Sequence, residues 1–172
     1  MNTEALKIWK TTVPDTWIDY NAHMTEGYYG VAFAEASDEL LLHLGFDADY
    51  REASGTFYTV EAQIRFLEEV KEGSQIYTET LLTGFDSKRI HLHHGLFLDN
   101  QSSPVATQEA VLLHVTKING TPGVSEIRDP VAKNVKELFD LQSTIPRPSY
   151  LCLLYTSPSP RDLSTSRMPS SA

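Results

Sequence analysis

The chain has 172 residues, with 14 Lys and Arg against 23 Asp and Glu, a net charge of −9 at neutral pH. That acidity opposes nonspecific attachment to nucleic acid or to anionic membranes. No apolar run is long enough to span a bilayer, and Met1 to Lys10 lacks the basic-then-apolar pattern of a signal segment, so a soluble, cytoplasmic protein is expected.

In chain order, residues Lys7 to Val13 read as a first strand. Between Tyr28 and Leu44 the residues Tyr29, Ala32, Phe33, Ala36, Leu40 and Leu44 recur at three- and four-residue spacing until Gly45, which predicts one long, buried helix. Small residues at Gly30, Ala32, Ala34 and Ala36 permit a sheet to approach it closely. The period then changes to two. Tyr58, Val60, Ala62, Ile64 and Phe66 are expected on one face of a strand, with Thr59, Glu61, Gln63 and Arg65 on the other. Three further strands are expected over Gln75 to Phe85, Arg89 to Asp99 and Val105 to Asn119, with turn residues at Glu72-Gly73, Asp86-Ser87 and Asp99-Asn100. Pro130 to Leu141 reads as a short helix with Val131, Val135, Leu138 and Leu141 on one stripe. A strand, a long helix and then strands that pair as antiparallel neighbours predict an α+β fold in which a curved antiparallel sheet wraps around one long central helix.

The end of the chain differs from the rest. Cys152 to Asp162, Leu163 to Thr165 and Ser166 to Ala172 resemble a translated sequencing adapter with a variable index between two constant parts. A single domain over 1–151 and a non-native tail over 152–172 are therefore expected. The only cysteine, Cys152, falls in that tail. The expected domain then has no disulfide, no thiolate nucleophile and no cysteine-rich zinc site.

The segment Trp17-Ile18-Asp19-Tyr20-Asn21-Ala22-His23-Met24 places an acid, an amide and an imidazole before the helix. A helix N-terminus presents unpaired N–H groups and partial positive charge, which stabilise an oxyanion. Capping of the helix by Asp19 or Asn21 is the alternative use of these residues. Trp17, Tyr20, Tyr28, Tyr29, Phe57 and Tyr58 form an aromatic set, and aromatic faces beside carboxylates bind quaternary ammonium groups. Core packing is the competing role for them. His91 and His93 share a strand face, with His94 opposite, but two imidazoles without a third ligand do not define a metal site, and none is expected.

Four pieces together resemble the hotdog-fold acyl-CoA thioesterases, and within them the branch acting on betainyl-CoA in carnitine breakdown. They are Trp17 to Met24, Tyr28-Tyr29, Tyr58 to Leu67 and Asp86 to His91. That branch usually has Gly where this chain has Ala22, and Asn where it has Thr25. The resemblance implies hydrolysis of a small acyl-CoA without a cofactor, by a homodimer or tetramer with active sites at the seam between protomers. It puts the catalytic carboxylate on Asp19, with Asn21 and His23 orienting water or the acyl group and backbone amides of Thr25 to Tyr28 receiving the oxyanion.

Glu61 is the second candidate carboxylate, since some hotdog enzymes use a glutamate. A solvated strand face or a pair with Arg65 is its other reading. Lys88 and Arg89 resemble the basic positions that meet CoA phosphates, and a solvated turn is the alternative. Trp17, Tyr28, Tyr29, Phe57 and Tyr58 complete the expected substrate contacts. A hotdog enoyl-CoA hydratase is the competing enzyme class, but Asp19-Tyr-Asn21-Ala-His23 is one residue short of its Asp-x-Asn-x-x-His spacing and no Ala-His-Gly segment follows. A noncatalytic acyl-CoA-binding protein is the third possibility.

Overall fold

The computed structural model describes residues 4–152; the expected tail from residue 153 onward lies outside them. In chain order the elements are β1 (Leu6–Thr12), a single 3₁₀ turn (Asp15–Trp17), α1 (Glu26–His43), α2 (Ala48–Ser54), β2 (Thr56–Phe66), β3 (Gln75–Phe85), β4 (Arg89–Leu98), β5 (Ala106–Ile118), β6 (Thr121–Val124) and α3 (Val131–Leu141). The strands form one antiparallel sheet in the order β1-β3-β4-β5-β2, with β6 paired to the end of β5. The sheet curls around α1, as the alternation of a strand, a long helix and consecutive strands predicts.

The stripe read from the sequence is the buried stripe of α1: Tyr29, Ala32, Phe33, Ala36, Leu40 and Leu44 are all in the core. The first half of the helix packs on Trp9, Val13, Ile76, Leu96 and Ala106. The second half packs on Leu82, Ile90, Leu92 and Leu112 together with Val131, Val135 and Leu138 of α3. Full burial of a side chain such as Phe33 or Leu40 stabilises the fold by about 2–3 kcal/mol.

Between these halves lies a buried polar bridge. His94 Nδ1 meets Thr80 Oγ1 at 2.8 Å and His94 Nε2 meets Ser37 Oγ at 3.0 Å. Ser37 Oγ donates to the Phe33 carbonyl at 2.9 Å, so it accepts from the ring, which fixes a neutral His94 protonated at Nε2. Burial pushes its pKa down to about 3. Every ring nitrogen is satisfied, which is why a histidine is tolerated there.

Three local features depart from the expectations. β2 alternates as read only from Ala62 onward. Its register with β5 runs Thr59↔Leu112 and then Glu61↔Val111, so Val60 is a bulge and the faces exchange there. Phe57 consequently points to the helix side, against Phe46 and His114, while Tyr58 is on the outer face with Glu61. The strand expected over Val105 to Asn119 ends at Ile118, where Asn119 and Gly120, at φ of 53° and 83°, turn the chain into the β5–β6 hairpin. Asn-Gly is the favoured pair for such a turn because both positions need positive φ. The short α2, capped by Asp47 accepting from Tyr50 N, was not foreseen.

The outer face is crossed by the segment after α3. Gln142 takes over the edge of β3 where β1 ends, accepting from Leu82 N at 2.8 Å and donating to Thr80 O at 3.0 Å. Arg147 then donates to the Thr83 carbonyl, Tyr150 Oη meets His93 Nε2 at 3.0 Å, and Arg65 lies over the Tyr150 ring. His93 is buried beneath this strap and its pKa falls to about 4 by desolvation.

Candidate active site at the start of the central helix

Residues 18–24 form a tight loop rather than a helix cap. Asp19 N donates to His23 O at 2.9 Å and Ala22 N to Asp19 O at 3.0 Å, and Ile18 and Met24 bridge at the loop's base. Asp19 Oδ1 accepts from Asn21 N at 2.8 Å and from His23 N at 3.4 Å. The carboxylate thus orders its own loop through one oxygen. Closing the loop puts Ala22 at φ 63°, a left-handed conformation that glycine adopts without strain.

The helix start is left open. α1 begins at Glu26, two residues before the expected boundary, and its N-cap Thr25 makes no side-chain cap bond. Neither Asp19 nor Asn21 caps it. Thr25 N is bound to Trp17 O and Tyr28 N to Thr25 O, both at 2.9 Å. Of the amides expected to receive an oxyanion, those two are engaged, which leaves Glu26 and Gly27 as the first-turn donors.

A cavity of about 270 Å³ opens beside this helix start, lined by His23, Met24, Glu26, Tyr29, Phe66, Leu67, Glu68 and Glu69. His23 Nε2 is 2.9 Å from Glu69 Oε2. Tyr29 is buried, stands edge-on to Phe66 and donates from Oη to the Glu68 carbonyl at 3.3 Å. Burial raises its pKa, so it stays a neutral wall. Trp17 and Tyr28 stack at 5.1 Å on the other flank of the helix start. The cavity therefore combines aromatic faces with three carboxylates, a lining suited to a cationic group.

The structure gathers Trp17, Asp19, Asn21, His23, Tyr28 and Tyr29 around one helix end, and separates the remaining candidates from it. Phe57 packs at the far end of α1 in the core that holds Leu44 and Tyr50. Glu61 lies on the outer face of β2 opposite Val111, two sheet positions from His91. Lys88 and Arg89 sit in the β3–β4 turn, where Arg89 pairs with Asp86 at 2.6 Å and both amides bind Asp86 Oδ1. Register places Tyr58, Leu113 and Arg89 in one row across the sheet. Glu69 was missed because nothing local in the sequence marks it. No group of three or more His, Cys, Asp or Glu side chains among the described residues is placed to hold a metal ion.

The family model of the thioesterase-like superfamily matches residues 13–135. The betainyl-CoA thioesterase of Pseudomonas aeruginosa is 36% identical over 147 residues, covering 85% of this chain and 91% of that protein. The L-carnitine dehydrogenase/betainyl-CoA thioesterase of Agrobacterium fabrum is 49% identical over 117 residues, 67% of this chain, and the match spans 24% of that longer protein. A Staphylococcus aureus protein solved in complex with CoA has the same fold, with a TM-score of 0.77 at 20% identity over 87% of this chain and 94% of the other.

Proposed function

We propose that this chain, which belongs to the thioesterase-like superfamily, hydrolyses a small acyl-CoA to the free acid and CoA, with betainyl-CoA as the substrate. The observation that carries the reading is the convergence of the Asp19–His23 loop, an uncapped helix N-terminus and an aromatic, acidic cavity at one point. A thioester carbonyl has weak resonance with sulfur and accepts a carboxylate or an activated water readily. Asp19 Oδ1 is held by the loop amides, so the second oxygen is the one available to take a proton from water. Hydroxide adds to the acyl carbon and the oxyanion is stabilised by the helix end at Glu26 and Gly27. The C–S bond then breaks, and the proton on Asp19 leaves with the CoA thiolate. The quaternary ammonium group of a betainyl chain fits Phe66 and Tyr29 with the carboxylates of Glu26 and Glu68 nearby.

The assembly that fits this site is a homodimer or a dimer of dimers. β2 is an edge strand of 11 residues with Tyr58, Val60 and Phe66 exposed along it. Such an edge is normally covered. Pairing of two β2 strands about a twofold axis brings Tyr58 and Thr56 of one protomer toward the partner's Phe66. In that arrangement the candidates separated within one chain, Phe57 to Glu61 and the Lys88-Arg89 turn, approach the partner's helix start. No helix among the described residues is long and apolar enough to cross a membrane, and a cytoplasmic location beside the CoA pool suits the reading.

The test is a panel of acyl-CoAs that includes betainyl-CoA, followed by release of free thiol. Rapid thiol release supports the reading. Addition of water to an enoyl-CoA without thiol release would assign a hydratase, and tight binding without turnover a carrier.

A further inference from the structure

We propose that Glu69 is a positioning residue that holds the His23 imidazole in the orientation hydrolysis needs. The inference rests on the reading of the chain as an acyl-CoA hydrolase and adds a residue to its site. The pair is close, with Nε2 and Oε2 at 2.9 Å, yet Glu69 is 72% exposed and His23 27%. An ordinary exposed pair of this kind contributes little, because two mobile side chains must be ordered to form it. Here both backbones are fixed independently of the pair. Leu67 N and Glu68 N both bind Val105 O at 2.9 Å, Tyr29 Oη binds the Glu68 carbonyl, and fully buried Val70, the residue after Glu69, accepts from Met24 N at 2.7 Å. The 67–70 segment is thus pinned to Val105 just before β5, to α1 and to the catalytic loop within four residues. On the other side, His23 is fixed by its carbonyl to Asp19 N and by its amide to Asp19 Oδ1.

A carboxylate on one ring nitrogen decides what the other does. Glu69 accepts the Nε2 hydrogen, so in the neutral ring Nδ1 carries the lone pair, and Nδ1 meets no partner among the described residues. Both side chains line the 270 Å³ cavity. A water bound at Nδ1 gives that nitrogen one hydrogen as a hydrogen bond, and Asp19, whose Oδ1 accepts from the His23 amide in the same loop, is the group assigned to take the other. His23 then orients the attacking oxygen without itself gaining a proton, and Glu69 keeps the ring from turning or changing tautomer.

Glu69→Ala and Glu69→Gln test this with betainyl-CoA and with its neutral isostere, in which carbon replaces the quaternary nitrogen. The expected result for Glu69→Ala is a fall in kcat of at least about tenfold on both substrates with little change in KM, since loss of a well-placed proton-handling group costs about a hundredfold or more. Glu69→Gln keeps an acceptor for Nε2–H and is expected to recover part of that loss. A rise in KM confined to the cationic substrate would overturn the proposal and make Glu69 part of the acyl pocket. Unchanged kinetics would overturn it as well. Imidazole ¹⁵N NMR gives a readout independent of turnover: His23 is expected as the Nε2–H tautomer in the wild type and as a tautomer mixture in Glu69→Ala. If the wild type releases no thiol from any acyl-CoA, the functional reading fails. A His23 ring state indifferent to Glu69→Ala would refute the positioning role even then.

Discussion

Lowering the pH from 7.5 to 5.0 should destabilise this fold by about 4 kcal/mol through two histidines. The pKa values of His93 and His94 are depressed by burial to about 4 and about 3, against an ordinary 6.5. Both are neutral in the folded protein throughout this range, whereas the unfolded chain gains a proton on each as the pH falls below 6.5. Their stabilisation is complete above pH 6.5 and declines below it, because protons favour the unfolded state. At pH 5.0 the gap is about 1.5 pH units per histidine, or about 2 kcal/mol each at 1.36 kcal/mol per unit. The figure depends little on the folded values, since both lie well below 5. His91 and His114 are shifted the same way by desolvation and add to the loss. Urea unfolding at fixed protein concentration measures the effect against a total stability of about 5–15 kcal/mol. His93→Gln can keep a hydrogen bond to Tyr150 but cannot titrate, so it should remove about 2 kcal/mol of the pH-dependent loss. Equal stability at the two pH values, or an undiminished loss in His93→Gln, would refute the reasoning.

Ala22→Gly should stabilise the protein. A left-handed alanine costs about 1–2 kcal/mol, and glycine's greater freedom in the unfolded chain takes back about 0.4–1 kcal/mol. Thermal unfolding should therefore show a rise of up to a few degrees, and a fall would place the loop in another conformation. Ending the chain after Leu151 removes the Cys152 amide bond to Glu109 and everything beyond it; denaturant unfolding should register a loss of about 1 kcal/mol or less, and a large loss would make the tail part of the domain. Val60→Lys puts a charge on the exposed β2 edge and should shift light-scattering mass toward the monomer with loss of turnover; a fully active monomer would refute the seam.

The long helix and the main strands were legible because each buries one face, and a buried face imposes a period on the sequence. The β2 bulge was not, since Val60 is apolar and continues the alternation that its backbone breaks. Asn119-Gly120 carried a hairpin signal that the apolar run through Ile118 obscured. At the site, the Asp19–His23 loop stood out because its residues are neighbours in sequence. Glu69 could not, as its link to His23 exists only after β2, β5 and α1 have been assembled around the 67–70 segment. The polar bridge through His94 is illegible for the same reason: Ser37, Thr80 and His94 belong to three different elements.

The most direct test of the account is thiol release from betainyl-CoA by the wild type and by Asp19→Asn, each checked for its melting temperature. Asparagine keeps an oxygen to accept the Asn21 and His23 amides, so the loop should survive, while the charge that takes the proton is lost. The wild type should be active and the mutant slowed by at least about a hundredfold with an unchanged melting temperature. A folded Asp19→Asn with near-native turnover would contradict it and transfer the catalytic role to another carboxylate, with Glu61 the first to replace.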